Sequence, residues 1–268
     1  MIAGPMDPLV ERAQAGDAAA LEELLGSVAP SVRRFGQRMC KNPQDADDVL
    51  QDTLLSIATH LRDFEGRSSL VSWVFALARS ACARRRRGMK NRPPVSDAAV
   101  AERGDEAPNP EERAADRELG AALTRALEEL SEDHREVVLL RDVEGLTAPD
   151  AAAALGVSVE ALKSRLHRAR EALRASLKPL LEAGAPAPSS SCPDVAALWS
   201  RKLEGDLSQG DCASMERHLA SCPACGAACD ALKRALLACQ RSATAQVKPE
   251  VQARVKAAVR AWAARATP

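Results

Sequence analysis

Apolar residues recur every three or four positions along much of the chain, the spacing that buries one face of an α-helix. Leu21, Leu24, Leu25 and Val28 form one stripe, which Val32, Phe35 and Met39 continue beyond Pro30. Ala46, Val49, Leu50, Leu54, Ile57 and Leu61 form a second. A third helix is predicted after Ser68 and Ser69, both N-capping residue types. It buries Leu70, Trp73, Val74, Leu77 and Ala81 and runs into Arg84–Arg87. Helical spacing returns at Leu119, Ala122, Leu123, Ala126, Leu127 and Leu130. Ser131 can cap the next helix, which carries Val137, Val138, Leu140 and Val143 and stops at Gly145. Thr147 to Asp150 fits an S/T-x-x-D/E cap for a short helix ending at Leu155, and Gly156 suits a left-handed turn residue. Ser158 then caps a helix with the stripe Val159, Leu162, Leu166, Ala169 and Leu173. Two short helices joined by a glycine-containing turn are the helix-turn-helix signature. Val251, Val255, Val259 and Trp262 mark a last amphipathic helix.

Two stretches lack this period. Asn91 to about Pro110 is rich in proline and charge, and Ala183 to Ser191 reads AGAPAPSSS. Both are linkers by composition. They divide the 268 residues into a helical segment 15–92, an acidic linker 93–115, a helix-turn-helix segment 116–182, a linker 183–191 and a cysteine-rich segment 192–268. Aromatic residues are only 2% of the chain and tyrosine is absent. Strand-rich proteins draw on aromatic and β-branched residues, so the composition supports an all-α fold of three small helical domains. No apolar run approaches the roughly 20 residues of a membrane span. Met1 to Glu11 has neither the basic flank nor the apolar stretch of a signal peptide, so the cytoplasm is the expected compartment.

Lysine plus arginine and aspartate plus glutamate are both 37, but the charges are segregated. Arg84, Arg85, Arg86, Arg87, Lys90 and Arg92 form one basic block, and Lys163, Arg165, Arg168, Arg170 and Arg174 a second. Two separated basic patches point to two contacts with a polyanion. The helix after Ser158 turns Lys163, Ser164, His167, Arg168 and Glu171 away from its apolar stripe. That is the face a helix-turn-helix lays in the major groove, where arginine and lysine donate to guanine and serine to either edge. Arg170 and Arg174, further along, suit phosphates. His60, His134 and His167 have no nucleophile pattern around them, and no phosphate-binding glycine motif is present. Catalysis is therefore not expected.

Leu146 to Arg170, LTAPDAAAALGVSVEALKSRLHRAR, resembles the region 4 helix-turn-helix of extracytoplasmic-function (ECF) sigma factors. Asp45 to Asp52, DADDVLQD, resembles the family's region 2.2 motif, and Ser68 to Arg87, SSLVSWVFALARSACARRRR, its regions 2.3 and 2.4. Order and spacing match as well. The resemblance spans about Leu21 to Leu181 and implies a promoter-specificity subunit of bacterial RNA polymerase. It implies that Asp45, Asp48, Gln51 and Asp52 dock on the β′ clamp of core polymerase, with the β flap as a second contact. The loop from Phe64 to Ser69, including Arg67 and Ser68, would capture an unstacked base of the minus-10 element. Arg79, Arg84, Arg85, Arg86 and Arg87 would hold the backbone there, with Trp73 assigned to the core. Ser158, Lys163, Ser164, Arg165, His167 and Arg168 would serve the minus-35 element.

The cysteines are segregated too. Cys40 and Cys82 stand alone, whereas Cys192, Cys212, Cys222, Cys225, Cys229 and Cys239 crowd together. In a reducing compartment such crowding reads as metal binding before disulfides. His218 to Cys225 is H-x3-C-x2-C, which brings three ligands onto one tetrahedral metal, with Cys192 the candidate fourth. Cys192 to Cys225 resembles the zinc-binding anti-sigma domain, so zinc is the expected metal. Cys212, Cys229 and Cys239 are candidate extra ligands, and a thiolate-rich site suits soft ions such as Cu(I) and, on the same argument, Cd(II). A sigma factor with a fused cysteine-rich tail resembles the CorE-like metal-responsive group, whose members act without a separate anti-sigma factor. That likeness implies a positive metal switch, whereas the anti-sigma likeness implies inhibition. Two alternatives stand beside metal regulation. One is a thiol redox switch in which oxidation ejects zinc. The other is a helix-turn-helix regulator that never meets polymerase, but such a protein has no use for DADDVLQD or a second basic block.

Overall fold

The computed structural model describes residues 7–40, 43–89, 110–181, 189, 191–230, 233 and 249–266. Among them there is no strand, and no helix is long and apolar enough to cross a membrane. The helices are α1 (Pro8–Gln14), α2 (Ala18–Met39), α3 (Pro43–His60), α4 (Leu70–Met89), α5 (Pro110–Glu129), α6 (Glu132–Val138), α7 (Ala148–Leu155), α8 (Val159–Leu181), α9 (Val195–Leu203), α10 (Gln209–Ser221), α11 over residues 223–230, and α12 (Pro249–Ala266). They fall into two compact units. The first holds α1–α4, α7 from Pro149 onward and α12; the second holds α5, α6 and α8–α11.

In the first unit, α2, α3 and α4 pack on one another around Leu21, Phe35, Leu50, Ile57 and Leu61, all fully buried. Asp17 starts α2 by accepting the amide hydrogens of Ala19 and Ala20. Those bonds and the Arg12 guanidinium hold its carboxyl below the usual range. The helix runs unbroken through Pro30, whose ring faces the carbonyl four residues back, at exposed Gly26. Gly36 sets the approach of α2 to α3, because a Cβ there would lie 3.3 Å from the Ala46 carbonyl oxygen. Arg33 on α2 meets Asp47 on α3 at 3.1 Å. Phe35 meets Phe75 of α4 edge-on, ring centroids 5.5 Å apart.

Three expectations change here. The buried arc of α4 is Ser72, Val74, Phe75, Ala78, Ala81 and Cys82, while Leu70, Trp73 and Leu77 are only half-buried. The Phe35–Phe75 contact rotates the arc toward α2, and Trp73 instead tilts against Phe64 at 5.2 Å. Ser72 is buried because its hydroxyl donates to Asp150 of α7, to the carbonyl oxygen at 2.9 Å and the carboxylate at 3.1 Å. The last helix, α12, packs on α3 and α2 rather than with the cysteine-rich segment, burying Val255 and Val259.

In the second unit, α5, α6 and α8 enclose Leu123, Leu127, Val137, Leu140, Leu162, Leu166 and Leu177. Ser131 caps α6 as expected, accepting from the His134 amide. Arg135 closes the end of α5 by donating to the Leu127, Glu128 and Leu130 carbonyls. The acidic linker is shorter than expected: 110–115 already belongs to α5, which opens with proline at its first position. The rest of that linker, and most of 183–191, lies outside the described residues. Nor are both helices flanking Gly156 short. α7 has 8 residues and α8 has 23, because Leu173 and Leu177 continue the apolar stripe. Gly156 takes the left-handed φ of +66° that the turn requires.

Arg170 is the exception on that stripe. It and its partners Asp142 and Glu204 are at most 6% exposed. Its Nε and Nη2 donate to the two oxygens of Asp142 at 3.0 and 2.5 Å. Nη1 donates to the Ser200 hydroxyl at 2.9 Å, and Nη2 also reaches Glu204 at 3.2 Å. Burial alone would lower the guanidinium's pKa; the two carboxylates raise it above its ordinary value. Arg170 is thus no phosphate contact but the tie between α8, the π-helical turn Leu139–Val143 and α9. Removing one partner of such a cluster leaves buried charge uncompensated and costs about 3–5 kcal/mol. Arg170→Ala is therefore expected to lower the urea midpoint of the full chain, followed by circular dichroism, far more than Arg168→Ala on the exposed face of the same helix. Equal midpoints for the two variants would contradict the burial of this cluster.

Candidate functional site

Among the described residues, the part of the cysteine-rich segment from 192 to 230 folds as three short helices. Asp194 caps α9 through the Ala197 amide, Gly205 turns the chain with φ +70°, and Ser208 caps α10 through the Asp211 amide. His218 lies in the last turn of α10, Cys222 closes that helix with its amide bonded to the His218 carbonyl, and Cys225 is in α11. Cys192, just before α9, completes the group. The ligand atoms of Cys192, His218, Cys222 and Cys225 all lie within 4.8 Å of one another.

The geometry fits a tetrahedral thiolate–imidazole metal site. With a Zn–S distance of about 2.3 Å, the edge of a tetrahedron between two sulfurs is about 3.8 Å; the Cys192 and Cys222 sulfurs are 3.9 Å apart. The His218 Nε2 is buried and has no hydrogen-bond partner, which leaves its lone pair to a metal. A hydrogen bond from Ser189 at 3.4 Å is the main cause that brings the Cys192 thiol down to about 7. Burial first, and then the neighbouring Cys192 and Cys222 sulfurs, push Cys225 up to about 12. The extra cysteines do not join the cluster. Cys229 is buried against Val195 and Cys225, Cys212 contacts Glu216 at 3.6 Å, and Cys239 lies outside the described residues. Cys229 therefore packs as a small apolar side chain.

The candidate nucleic-acid residues are largely engaged with the protein itself. On α8, Ser158 spends its hydroxyl on the Ala161 amide as an N-cap. Lys163 is paired with Asp206 of the cysteine-rich segment at 2.5 Å. Arg165 lies 3.6 Å from Asp133 and His167 3.6 Å from Glu171. Exposed Arg168 donates to Ser164 at 2.8 Å. In the first unit, Arg67 pairs with Glu65 on the surface, and the Ser68 hydroxyl contacts the Ser69 carbonyl. Arg79 donates to the carbonyls of Ala154 and Leu155 that end α7. Arg84 and Arg87 are exposed and Arg86 half-buried. Arg85 instead reaches back to α3, 2.8 Å from Asp48 and 3.8 Å from Asp52. Asp45, Asp48, Gln51 and Asp52 are all half-exposed.

The sequence reading missed Asp142, Ser200, Glu204 and Asp206. Their signal was Arg170 itself, four positions after Leu166 and three before Leu173, where a charge must find a buried partner. Arg141 adds to the group by donating to the Leu146 carbonyl and pairing with Glu204 at 2.8 Å.

Family models match the chain in three places: Sigma-70 region 2 over residues 24–92, Sigma-70 region 4 over residues 120–173, and a zinc finger over residues 192–226. The chain is 31% identical over 181 residues to the RNA polymerase sigma-H factor of Pseudomonas aeruginosa, covering 65% of this chain and 94% of that one. It is 30% identical over 181 residues to the ECF RNA polymerase sigma-E factor of Escherichia coli K12, with the same coverage. The chain belongs to the ECF RNA polymerase sigma factors. Among solved structures it is similar to CnrH in complex with the cytosolic domain of CnrY, at 28% identity and a TM-score of 0.49, over 63% of this chain and 95% of that one. The sigma factor carries a C-terminal zinc-finger domain, and its four-ligand cluster lies within the matched finger.

Metal affinity follows from the thiol states, since ligands must lose their protons on binding. Cys225 stays protonated in the metal-free sigma factor throughout the physiological range, whereas Cys192 takes up a proton only below about pH 7. Zinc affinity, measured by competition with a chromogenic chelator from pH 6 to 8.5, is therefore expected to fall more steeply below pH 7 than above it. Cys222→Ser should lose the site at every pH. A uniform slope across pH 7 would contradict the assignment of Cys192.

Proposed function

We propose that this ECF sigma factor directs RNA polymerase to its promoters under the control of metal bound by its own zinc finger. The role is binding and promoter recognition rather than catalysis, exercised in the cytoplasm where polymerase works. In this reading Asp45, Asp48, Gln51 and Asp52 meet the polymerase β′ clamp, the region 4 domain meets the β flap, and the basic end of α4 with Arg67 and Ser68 meets the opened minus-10 element. Lys163, Ser164, Arg165, His167 and Arg168 serve the minus-35 element. One observation carries the regulatory part: the turn after α9 holds α8, through Glu204 on Arg170 and Asp206 on Lys163. A lysine paired with Asp206 is withheld from DNA.

The finger's core is small, centred on Val195, Cys225 and Cys229, so its fold depends on its ligands being drawn together. Bound zinc supplies that cross-link. The metal state of Cys192, His218, Cys222 and Cys225 then decides whether Glu204 and Asp206 are presented to α8, and no separate anti-sigma factor is needed. The thiolate-rich ligand set makes copper and cadmium candidate sensed ions beside zinc. Oxidation of the same thiols is the second reading, favoured by the low pKa of Cys192.

Run-off transcription with purified core polymerase tests the proposal, using wild type, Cys222→Ser, Cys225→Ser and a chain ending at Leu181. The chain ending at Leu181 is expected to transcribe regardless of metal, and the wild type to respond to at least one of zinc, copper and cadmium in reducing buffer. Equal transcription by all four under every condition would refute metal control, and a response only to oxidant would favour the redox reading. For the polymerase face, Asp48→Lys with Asp52→Lys is expected to abolish core pull-down while the helical circular dichroism persists. The exposed pairs with Arg85 contribute little to stability. For the minus-35 face, Arg168→Ala is expected to weaken binding to matched promoter DNA by about 1–3 kcal/mol for a bidentate base contact. A contact to phosphate would weaken matched and scrambled DNA alike and lower the salt slope.

A further inference from the structure

The segment between α3 and α4 is anchored at both ends and exposed between them. Leu61 is fully buried and begins the 3-10 turn Leu61–Asp63. Phe64 follows, also buried, with its amide on the Leu61 carbonyl at 3.1 Å and its ring against Trp73 of α4. At the far end Ser69 caps α4. Its hydroxyl oxygen accepts the Ser72 amide hydrogen at 3.1 Å and shares a hydrogen bond with the Ser72 hydroxyl at 2.8 Å. Between these posts Glu65 and Arg67 are exposed and paired with each other. The first post has a further brace that neither α3 nor α4 supplies. Gln14, the half-buried last residue of α1, donates through its side-chain nitrogen to the Leu61 carbonyl at 2.9 Å and to the Phe64 carbonyl at 2.7 Å. A primary amide has two N–H donors, and both go to this one turn, 47 and 50 residues away in the chain.

We propose that Gln14 is a positioning residue for minus-10 recognition, holding Phe64 so that the loop after it is shaped for an unstacked base before DNA arrives. The inference rests on the reading above, in which Arg67 and Ser68 meet the opened minus-10 element. The contact of the Phe64 ring with Trp73 fixes where that residue sits. It does not fix the peptide that follows, whose orientation is set by the ψ angle of Phe64, 107° here. The Phe64 carbonyl oxygen belongs to that peptide, so the bond from Gln14 removes the rotation and sets the direction in which the chain enters the loop. The second bond, to Leu61, ties the same amide to the other end of the turn and keeps Gln14 itself in place. A loop that must be ordered during binding subtracts that ordering cost from affinity, whereas one already held in its bound shape does not. Discrimination between bases is a difference between two affinities, and a backbone free to follow either base would reduce it. In this role Gln14 acts through Phe64 and needs no contact with DNA.

The test assembles holoenzyme from core polymerase and the full chain, in zinc-loaded and metal-stripped forms. Each is mixed with a forked DNA library, randomised in the duplex across the minus-35 element and in the single strand across the minus-10 element, and the bound DNA is sequenced. Wild type is expected to enrich a defined base in the single-stranded segment and a defined sequence in the duplex. Two variants are compared with it: Gln14→Met, of similar length without the donors, and Gln14→Ala, which suits the helix α1. Both are expected to lower the single-strand enrichment by about three- to tenfold, the change that one hydrogen bond of ordinary net strength makes in an equilibrium. Both should keep the duplex enrichment of wild type. Undiminished single-strand enrichment by both variants would overturn the inference and leave the loop reading standing. Equal loss of both enrichments would overturn it too, because a general weakening of the fold affects the two alike. Wild type that enriches no base in the single strand, in either metal state, would overturn the loop reading itself and the inference with it.

Discussion

A guanidinium removed from water is tolerated only where carboxylates replace its hydration with good geometry. Arg170 meets that condition by gathering groups from three places in the second unit: Asp142 from the π-helical turn after α6, Ser200 from the middle of α9, and Glu204 from its end. Because the pairing is bidentate toward Asp142, it fixes orientation as well as contact. The cysteine-rich segment thereby acquires a defined seat on α8, and Lys163 a defined partner in Asp206. The metal cluster depends on the same seat. α9 begins three residues after Cys192, so the helix that presents Ser200 and Glu204 to Arg170 also carries a ligand at its other end.

That arrangement connects two kinds of chemistry within a small volume. The finger has few large apolar residues to specify its own fold: among the described residues its buried apolar side chains are Val195, Met215, Cys225, Cys229 and small alanines, with Trp199 and Leu219 partly buried against them. Cross-linking by a metal would substitute for hydrophobic area, and the buried, unpartnered Nε2 of His218 is where it would attach. Three sulfurs in contact cannot all shed their protons without a cation among them. The Ser189 hydrogen bond first draws the Cys192 thiol down, while burial first, and then the neighbouring sulfurs, push Cys225 up. On the proposed reading, metal capture, proton release and the docking of Glu204 and Asp206 are parts of one equilibrium.

The first unit is held together differently. Its core is conventional helix packing, closed by the near approach at Gly36 and by the Phe35–Phe75 pair. Its charged features are shared between jobs. Arg85 stands in a basic run suited to nucleic acid, yet its guanidinium lies on Asp48 and Asp52. These half-exposed pairs hold little energy and exchange partners cheaply, a property suited to surfaces that must later meet another molecule.

Helical periodicity, caps and glycine turns sufficed to read the all-α class, the positions of α2, α3 and α6–α8, and the left-handed turn at Gly156, because these depend on residues three or four apart. The metal cluster was legible for the same reason: three of its ligands lie in one H-x3-C-x2-C run, and only Cys192 had to be brought from afar. What could not be read were contacts between residues distant in the chain. Trp73 lies on a plausible apolar stripe of α4 yet turns out toward Phe64, since the Phe35–Phe75 contact decides how α4 rotates. Arg170 falls in a basic run and looks like a phosphate ligand until Asp142 and Glu204 are seen around it. A helix face is a local property of the sequence, whereas the partner of that face is chosen by the whole fold.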